Sequence, residues 1–218
     1  MLIALLLPGS VEAAASGKGL FGSSEIHSKN MRSFGKWTEM WRRHNIPKAA
    51  VPKKPPGENY RCLGKFRAQC TREALEKFIA EQQTTDTLAL LKSVNKYMNK
   101  SIYIVDPVNW GIPDYWATPS EFLMKDGDCE DYAIGKYVAL KRLGVDIGAM
   151  RLVILQDENL RAAHAVLAVE VEGVSYILDN QVNAVLADTQ ISHYRPVYSI
   201  NETGWWLHRV SRFTKRRY

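Results

Sequence analysis

The chain lacks any apolar run long enough to cross a bilayer. A spanning helix needs about 20 consecutive apolar residues, so a soluble mature protein is expected. Internal repeats are absent too, which removes solenoids and propellers. Cysteine is scarce: Cys62, Cys70 and Cys129 are the only three in 218 residues. If Cys129 is kept for reaction, an oxidising compartment would let Cys62 and Cys70 pair; equally, both would serve as small buried hydrophobes. Basic residues are in excess, giving a net charge of +6, but they are scattered apart from short clusters at Lys53-Lys54 and Lys215-Arg216-Arg217. No nucleic-acid-binding motif surrounds them, so they read as a solvated surface. What is present suits a folded protein. A content of 46% hydrophobic and 24% charged residues supports a sizeable core, and the length fits one domain with or without an appendage.

The N-terminus runs from Met1-Leu2-Ile3-Ala4-Leu5-Leu6-Leu7 into Ala13-Ala14-Ala15. A short apolar run followed by small residues reads as the later part of a secretory signal with its cleavage site, so residues 1–15 are expected to direct export. Residues 16–58 make a flexible, Pro-rich N-terminal segment. Within it 16–35 is Gly/Ser-rich and expected to be irregular, Trp37 and Trp41 suggest a short helix, and Pro47, Pro52, Pro55 and Pro56 forbid regular structure. Residues 59–218 are expected to form a single catalytic domain. Leu75, Phe78 and Ile79, then Leu88, Leu91, Val94 and Met98, recur at helical spacing, with Thr84-Thr85-Asp86 as a cap between two helices. Residues 101–105 are a β-branched run read as a short strand, and 106–119 a loop. A helical turn at 120–124 is broken at Gly127-Asp128, and a helix restarts near Cys129 and stops at Leu143-Gly144. Strands are expected at 151–155, 163–171, 174–179 and 194–200. Helices followed by an antiparallel sheet make an α+β plan.

Cys129 stands in the acidic run Asp126-Gly127-Asp128-Cys129-Glu130-Asp131. At a helix start, partial positive charge and free N–H groups favour a thiolate, the nucleophilic form, and can hold a developing oxyanion. Alone, such a cysteine is more often an inert buried residue. His164 lies in an apolar strand, where a histidine is usually a satisfied core group. If Glu172-Gly173 is a two-residue turn, however, Val171 faces Val174 and Val166 faces Asp179. His164 shares a face with Val166, which brings Asp179 one diagonal step from it, the relation of a base to its orienting acid. The acids beside Cys129 would oppose its ionisation: one like charge at ~4 Å and an effective dielectric of ~20 amounts to ~4 kcal/mol. Protonated His164 supplies one compensating charge. A cation held by oxygen ligands would supply more, and Asp128, Glu130 and Asp131 are the candidate ligands, with Ca²⁺ the ion such donors favour. Cys129 and His164 lack the further ligands a zinc site needs.

The run from Asp114-Tyr115-Trp116-Ala117-Thr118-Pro119-Ser120-Glu121-Phe122-Leu123 to Gly127-Asp128-Cys129-Glu130-Asp131-Tyr132-Ala133-Ile134, with Ala163-His164-Ala165-Val166-Leu167 and Ile177-Leu178-Asp179-Asn180, resembles the bacterial transglutaminase-like cysteine proteases of the LapG type. The resemblance covers roughly residues 71–208. It implies a papain-like, transglutaminase-type core in which N-terminal helices and the catalytic helix pack on an antiparallel sheet. It implies a triad of Cys129, His164 and Asp179, and Ca²⁺ held near Asp128, Glu130 and Asp131. It also implies a periplasmic endopeptidase that clips the N-terminal region of a large surface adhesin at a di-alanine site, releasing biofilm cells. Its inhibitory partner would be the periplasmic domain of an inner-membrane cyclic-di-GMP receptor. Two other readings remain open at this point: a transglutaminase-type acyl transferase, whose acceptor is an amine, and a catalytically silent binding module of the same fold.

Overall fold

The protein is described by a computed structural model covering residues 19–46 and 67–209. The chain enters the sheet early. After a 3-10 turn at Leu20–Gly22, β1 (Ser24–Ser28) pairs antiparallel with the last strand, β7 (Trp205–Arg209). Composition pointed to an irregular 16–35, yet residues 24–28 are extended, because the hydrogen bonds that hold them come from β7 and leave no trace in local sequence. α1 (Gly35–Asn45) follows, with Trp37 and Met40 on its buried face and Arg42, Arg43 and His44 at its C-terminus, where the helix dipole favours cations.

α2 (Arg67–Ala80) and α3 (Thr87–Met98) are the two expected helices. Asp86 caps α3, its carboxylate accepting from the N–H groups of Leu88 at 2.9 Å and Ala89 at 3.3 Å. Residues 101–105 do not form the expected strand; only Tyr103 makes a bridge, parallel to Gly127. Their β-branched side chains favour extended backbone, but no strand lies alongside for them to pair with. The loop that follows contains a single-turn helix, α4 (Asp106–Asn109), started by Pro107. α5 (Pro119–Lys125) opens on a capping box between Thr118 and Glu121.

α6 (Cys129–Arg142) is the central helix. Every residue from Asp131 to Leu140 is buried, Asp131 and Lys136 among them, so the helix is enclosed nearly all round rather than along one stripe. It ends at Leu143, with Gly144 in the left-handed region at φ 89°. The remaining strands are β2 (Met150–Asp157), β3 (Ala162–Val171), β4 (Val174–Leu178), β5 (Leu186–Ala187) and β6 (Tyr194–Ile200). The antiparallel sheet runs β1-β7-β6-β2-β3-β4-β5. Strand alternation divides its side chains. Leu152, Leu167, Val169, Leu178 and Ile200 meet α1, α3, α5 and α6. Val153, Leu155, Val166, Ala168, Ile177 and Tyr194 line the opposite face around Leu20.

This is the expected α+β architecture. The short β5 and the terminal β7 were not legible in the sequence. Cys70 is disulfide-bonded and Cys129 is a free thiol, so of the two readings left open for Cys62 and Cys70 the buried-hydrophobe one does not hold for Cys70; Cys62 lies outside the described residues, as do the leader at 1–15 and the boundary at 58/59. Among the described residues no helix is long and apolar enough to cross a membrane.

Candidate active site

The chain turns sharply between α5 and α6. Asp126 takes a positive φ of 64°, and the backbone of Gly127 then passes close against Asp131. A Cβ at position 127 would sit 2.2 Å from Asp131 Oδ2, so only glycine fits. Asp131 itself is fully buried and is held by backbone donors: Ala117 N–H at 2.7 Å and Asp128 N–H at 3.4 Å. This arrangement presents Cys129 as the first residue of α6. From α1, Arg43 fastens the preceding loop, donating to Trp116 O and Glu121 Oε2, each at 2.5 Å, and to Tyr115 Oη.

Cys129 and His164 line one cleft of about 490 Å³, walled also by Trp116, Tyr103, Phe34 and Tyr198. The thiol donates to Glu130 Oε2 at 3.2 Å and accepts the N–H of Ala165, the residue after His164. Burial, and then the charge and hydrogen bond of Glu130, push the thiol pKa well up.

The β3–β4 hairpin closes as counting predicts. Glu172 and Gly173 both have positive φ, 51° and 78°, and Val171 pairs with Val174. This primed turn matches the right-handed twist of its strands. The register continues to Leu167 opposite Leu178, so Asp179 emerges just past β4 on the His164 side. His164 Nε2 and Asp179 Oδ1 are 3.0 Å apart, both side chains buried. The same Oδ1 accepts Gln181 N–H at 2.9 Å, and Tyr194 Oη donates to Oδ2 at 2.5 Å. Burial alone would raise the Asp179 pKa; the His164 bond and charge, with the Gln181 and Tyr194 donors, outweigh it and hold the carboxyl below its usual range. Asn99, at the C-cap of α3, fixes the backbone here by donating to Asp179 O at 2.9 Å. Burial of Lys136 on α6 lowers its pKa to about 7, against the Asp179 charge, which raises it.

Five carboxylates gather in two overlapping trios near the start of α6. Oxygens of Asp106, Asp128 and Asp131 lie within 4.8 Å of one another, as do oxygens of Asp106, Asp114 and Glu130. Burial first, then mutual repulsion, raises the pKa of Asp106, Asp128 and Glu130 and takes Asp131 to about 8. Asp106 Oδ1 and Asp128 Oδ1 are buried with no hydrogen-bond partner. Two oxygens on opposite sides of a Ca²⁺ stand about 4.8 Å apart. An all-oxygen set gathered within that reach, with two orphaned lone-pair donors, fits Ca²⁺. Of the residues expected from sequence, Asp128 and Asp131 fall in the first trio and Glu130 in the second. Asp106, common to both trios, was missed. It lies 22 residues before Asp128 in a loop whose course no local pattern reveals.

Residues 50–210 match the family described as bacterial transglutaminase-like cysteine proteinase. The chain belongs to that family. The proteinase is similar to Legionella pneumophila LapG, at 32% identity and a TM-score of 0.59 over 65% of this chain and 80% of that one. It is similar to the EGTA-treated form of that protein at 31% identity and a TM-score of 0.60, over 66% and 79% of the two chains. For the calcium-bound form the figures are 26% and 0.59, over 81% and 91%. A search among curated proteins returned no match. The family and these neighbours give the proteinase the transglutaminase-like core that its sequence led one to expect, and make it a LapG-type protease acting on a protein substrate.

Proposed function

We propose that this proteinase is a calcium-dependent periplasmic endopeptidase that uses Cys129, His164 and Asp179 to cut the N-terminal region of a large surface adhesin at a di-alanine site. The observation that carries the reading is the buried His164–Asp179 hydrogen bond beside a free thiol in the same cleft. Asp179, kept ionised by its donors, fixes the imidazole tautomer and stabilises the imidazolium. His164 takes the thiol proton; Cys129 Sγ attacks the scissile carbonyl, and the C–N bond breaks as His164 returns that proton to the leaving amine. Water, deprotonated by His164, then hydrolyses the thioester and frees the thiol. N–H groups at the start of α6 would hold the developing oxyanion.

Asp106, Asp128 and Asp131, with Asp114 and Glu130 adjoining, would hold the Ca²⁺. When bound, the ion supplies positive charge against the carboxylates that now oppose thiolate formation. The calcium-bound and EGTA-treated forms of the Legionella relative support this assignment. The apolar run at the N-terminus supports export to the periplasm, and the LapG likeness supports adhesin cleavage, control of biofilm release and inhibition by the periplasmic domain of a cyclic-di-GMP receptor.

The test is incubation with the N-terminal region of the host's largest surface adhesin, in Ca²⁺ and in excess chelator. Discrete cleavage in Ca²⁺ alone, abolished in Cys129→Ala, is the expected result. Equal cleavage in chelator would remove the calcium requirement, and cleavage by Cys129→Ala would remove the nucleophile.

A further inference from the structure

The triad carboxylate has a partner that the reaction as described leaves unused. Tyr194 is the first residue of β6, which joins β3 and β4 only through β2. From there its side chain reaches both working members of the pair. Its hydroxyl donates to Asp179 Oδ2 at 2.5 Å, and its ring lies edge-on to the His164 ring, with centroids 5.8 Å apart and planes at 60°. Tyr194, Asp179 and His164 are all buried, at 4%, 2% and 6% exposure, so no water competes freely for these contacts. Asp179 Oδ1 is already shared by His164 Nε2 and Gln181 N–H. A carboxylate bound through one oxygen alone can swing about its Cβ–Cγ bond. Bound through both, it has one plane, and that plane is the one that serves His164.

We infer that Tyr194 is a positioning residue of the triad, its hydroxyl locking the Asp179 carboxylate in the orientation that His164 uses. The contribution to turnover rests on the proteolytic reading above; the hold on the His–Asp pair does not. The phenol stays protonated under this arrangement, since burial and the adjacent Asp179 carboxylate raise its pKa.

Tyr194→Phe keeps the ring against His164 and removes only the hydroxyl. With a cleaved adhesin peptide, kcat should fall about tenfold, the size of one charge-assisted hydrogen bond, and KM should stay within about twofold. In an Asp179→Asn background the same substitution should cost nothing more, because residues acting as one unit are not additive. A general packing role would give the same loss in both backgrounds, and that result, or an unchanged kcat, overturns the inference. A second readout needs neither substrate nor the Phe variant. The downfield proton on His164 Nε2, identified by its absence in His164→Ala, should move when 3-fluorotyrosine replaces Tyr194, since the more acidic phenol draws charge from Asp179. A proton that does not move overturns the inference. If the wild type cleaves no peptide while that proton moves, the protease reading falls and the role of Tyr194 in holding the pair stands.

Discussion

With the proposed Ca²⁺ site empty, the stability of this protein should depend on pH in a direction opposite to ordinary acid denaturation. Asp131 is the clearest source. Its pKa is about 8 in the folded chain against an ordinary 3.8, chiefly because it is buried. Between those values the folded state holds a proton that the unfolded state has released. Stability from this group therefore falls as pH rises through the window and levels off above about 8. Each retained proton is worth about 1.4 kcal/mol per pH unit. From pH 5 to 7 the chelated protein should lose about 3 kcal/mol relative to the calcium-loaded one, in which the bound ion keeps the carboxylates ionised. Glu130, raised in the same direction, adds to the slope. His208, whose pKa burial lowers to about 4, titrates alike in both forms and cancels from the difference. For a chain of this size the loss equals about 5–10 °C in Tm. Differential scanning calorimetry in excess EDTA and in saturating CaCl₂, at pH 5, 6 and 7, reads it directly. The calcium-induced rise in Tm should grow at each step. A rise that is constant with pH, or largest at pH 5, would refute the assignment of these acids to the ion.

Other outcomes follow from the same geometry. Asp106→Asn should weaken Ca²⁺ binding about tenfold or more by titration calorimetry, because Asp106 belongs to both carboxylate trios. Asp179→Asn should melt as the wild type does yet lower kcat by about 10⁴, since the neutral amide selects the wrong imidazole tautomer; a loss under tenfold would remove Asp179 from the triad. Gly127→Ala should destabilise the protein by about 2–4 kcal/mol in urea, because the new Cβ displaces Asp131 from two backbone donors. An unchanged midpoint would mean that Asp131 relocates without cost.

Much of this was legible in the sequence, for reasons that differ by element. The pairing of His164 with Asp179 could be counted because the turn is two residues long and strand side chains alternate; one extra residue in the turn would have sent Asp179 to the other face. The α6 start was legible because Gly127-Asp128 breaks the chain immediately before a helical pattern. What stayed hidden depends on the path of the chain through space. Asp106 reaches the acidic cluster through a loop, and Tyr194 reaches Asp179 from a strand that is not its neighbour in the sheet. β1 is extended only because β7, some 180 residues later, lies beside it. No window of sequence contains both halves of these contacts.

That last pairing also bears on how the cleft is walled. Ser24 is registered with Arg209, so the sheet closes only after nearly all of the described chain is present. Such a long loop makes closure a slow, non-local event in folding. Ser33 and Phe34, between β1 and α1, and Gly35 at the start of α1 form one wall of the cleft that holds Cys129. Phe34 packs against Tyr198 and Trp205 of the last two strands. The wall is therefore assembled from the two ends of the fold, so this side of the cleft takes its shape only when both ends are in place.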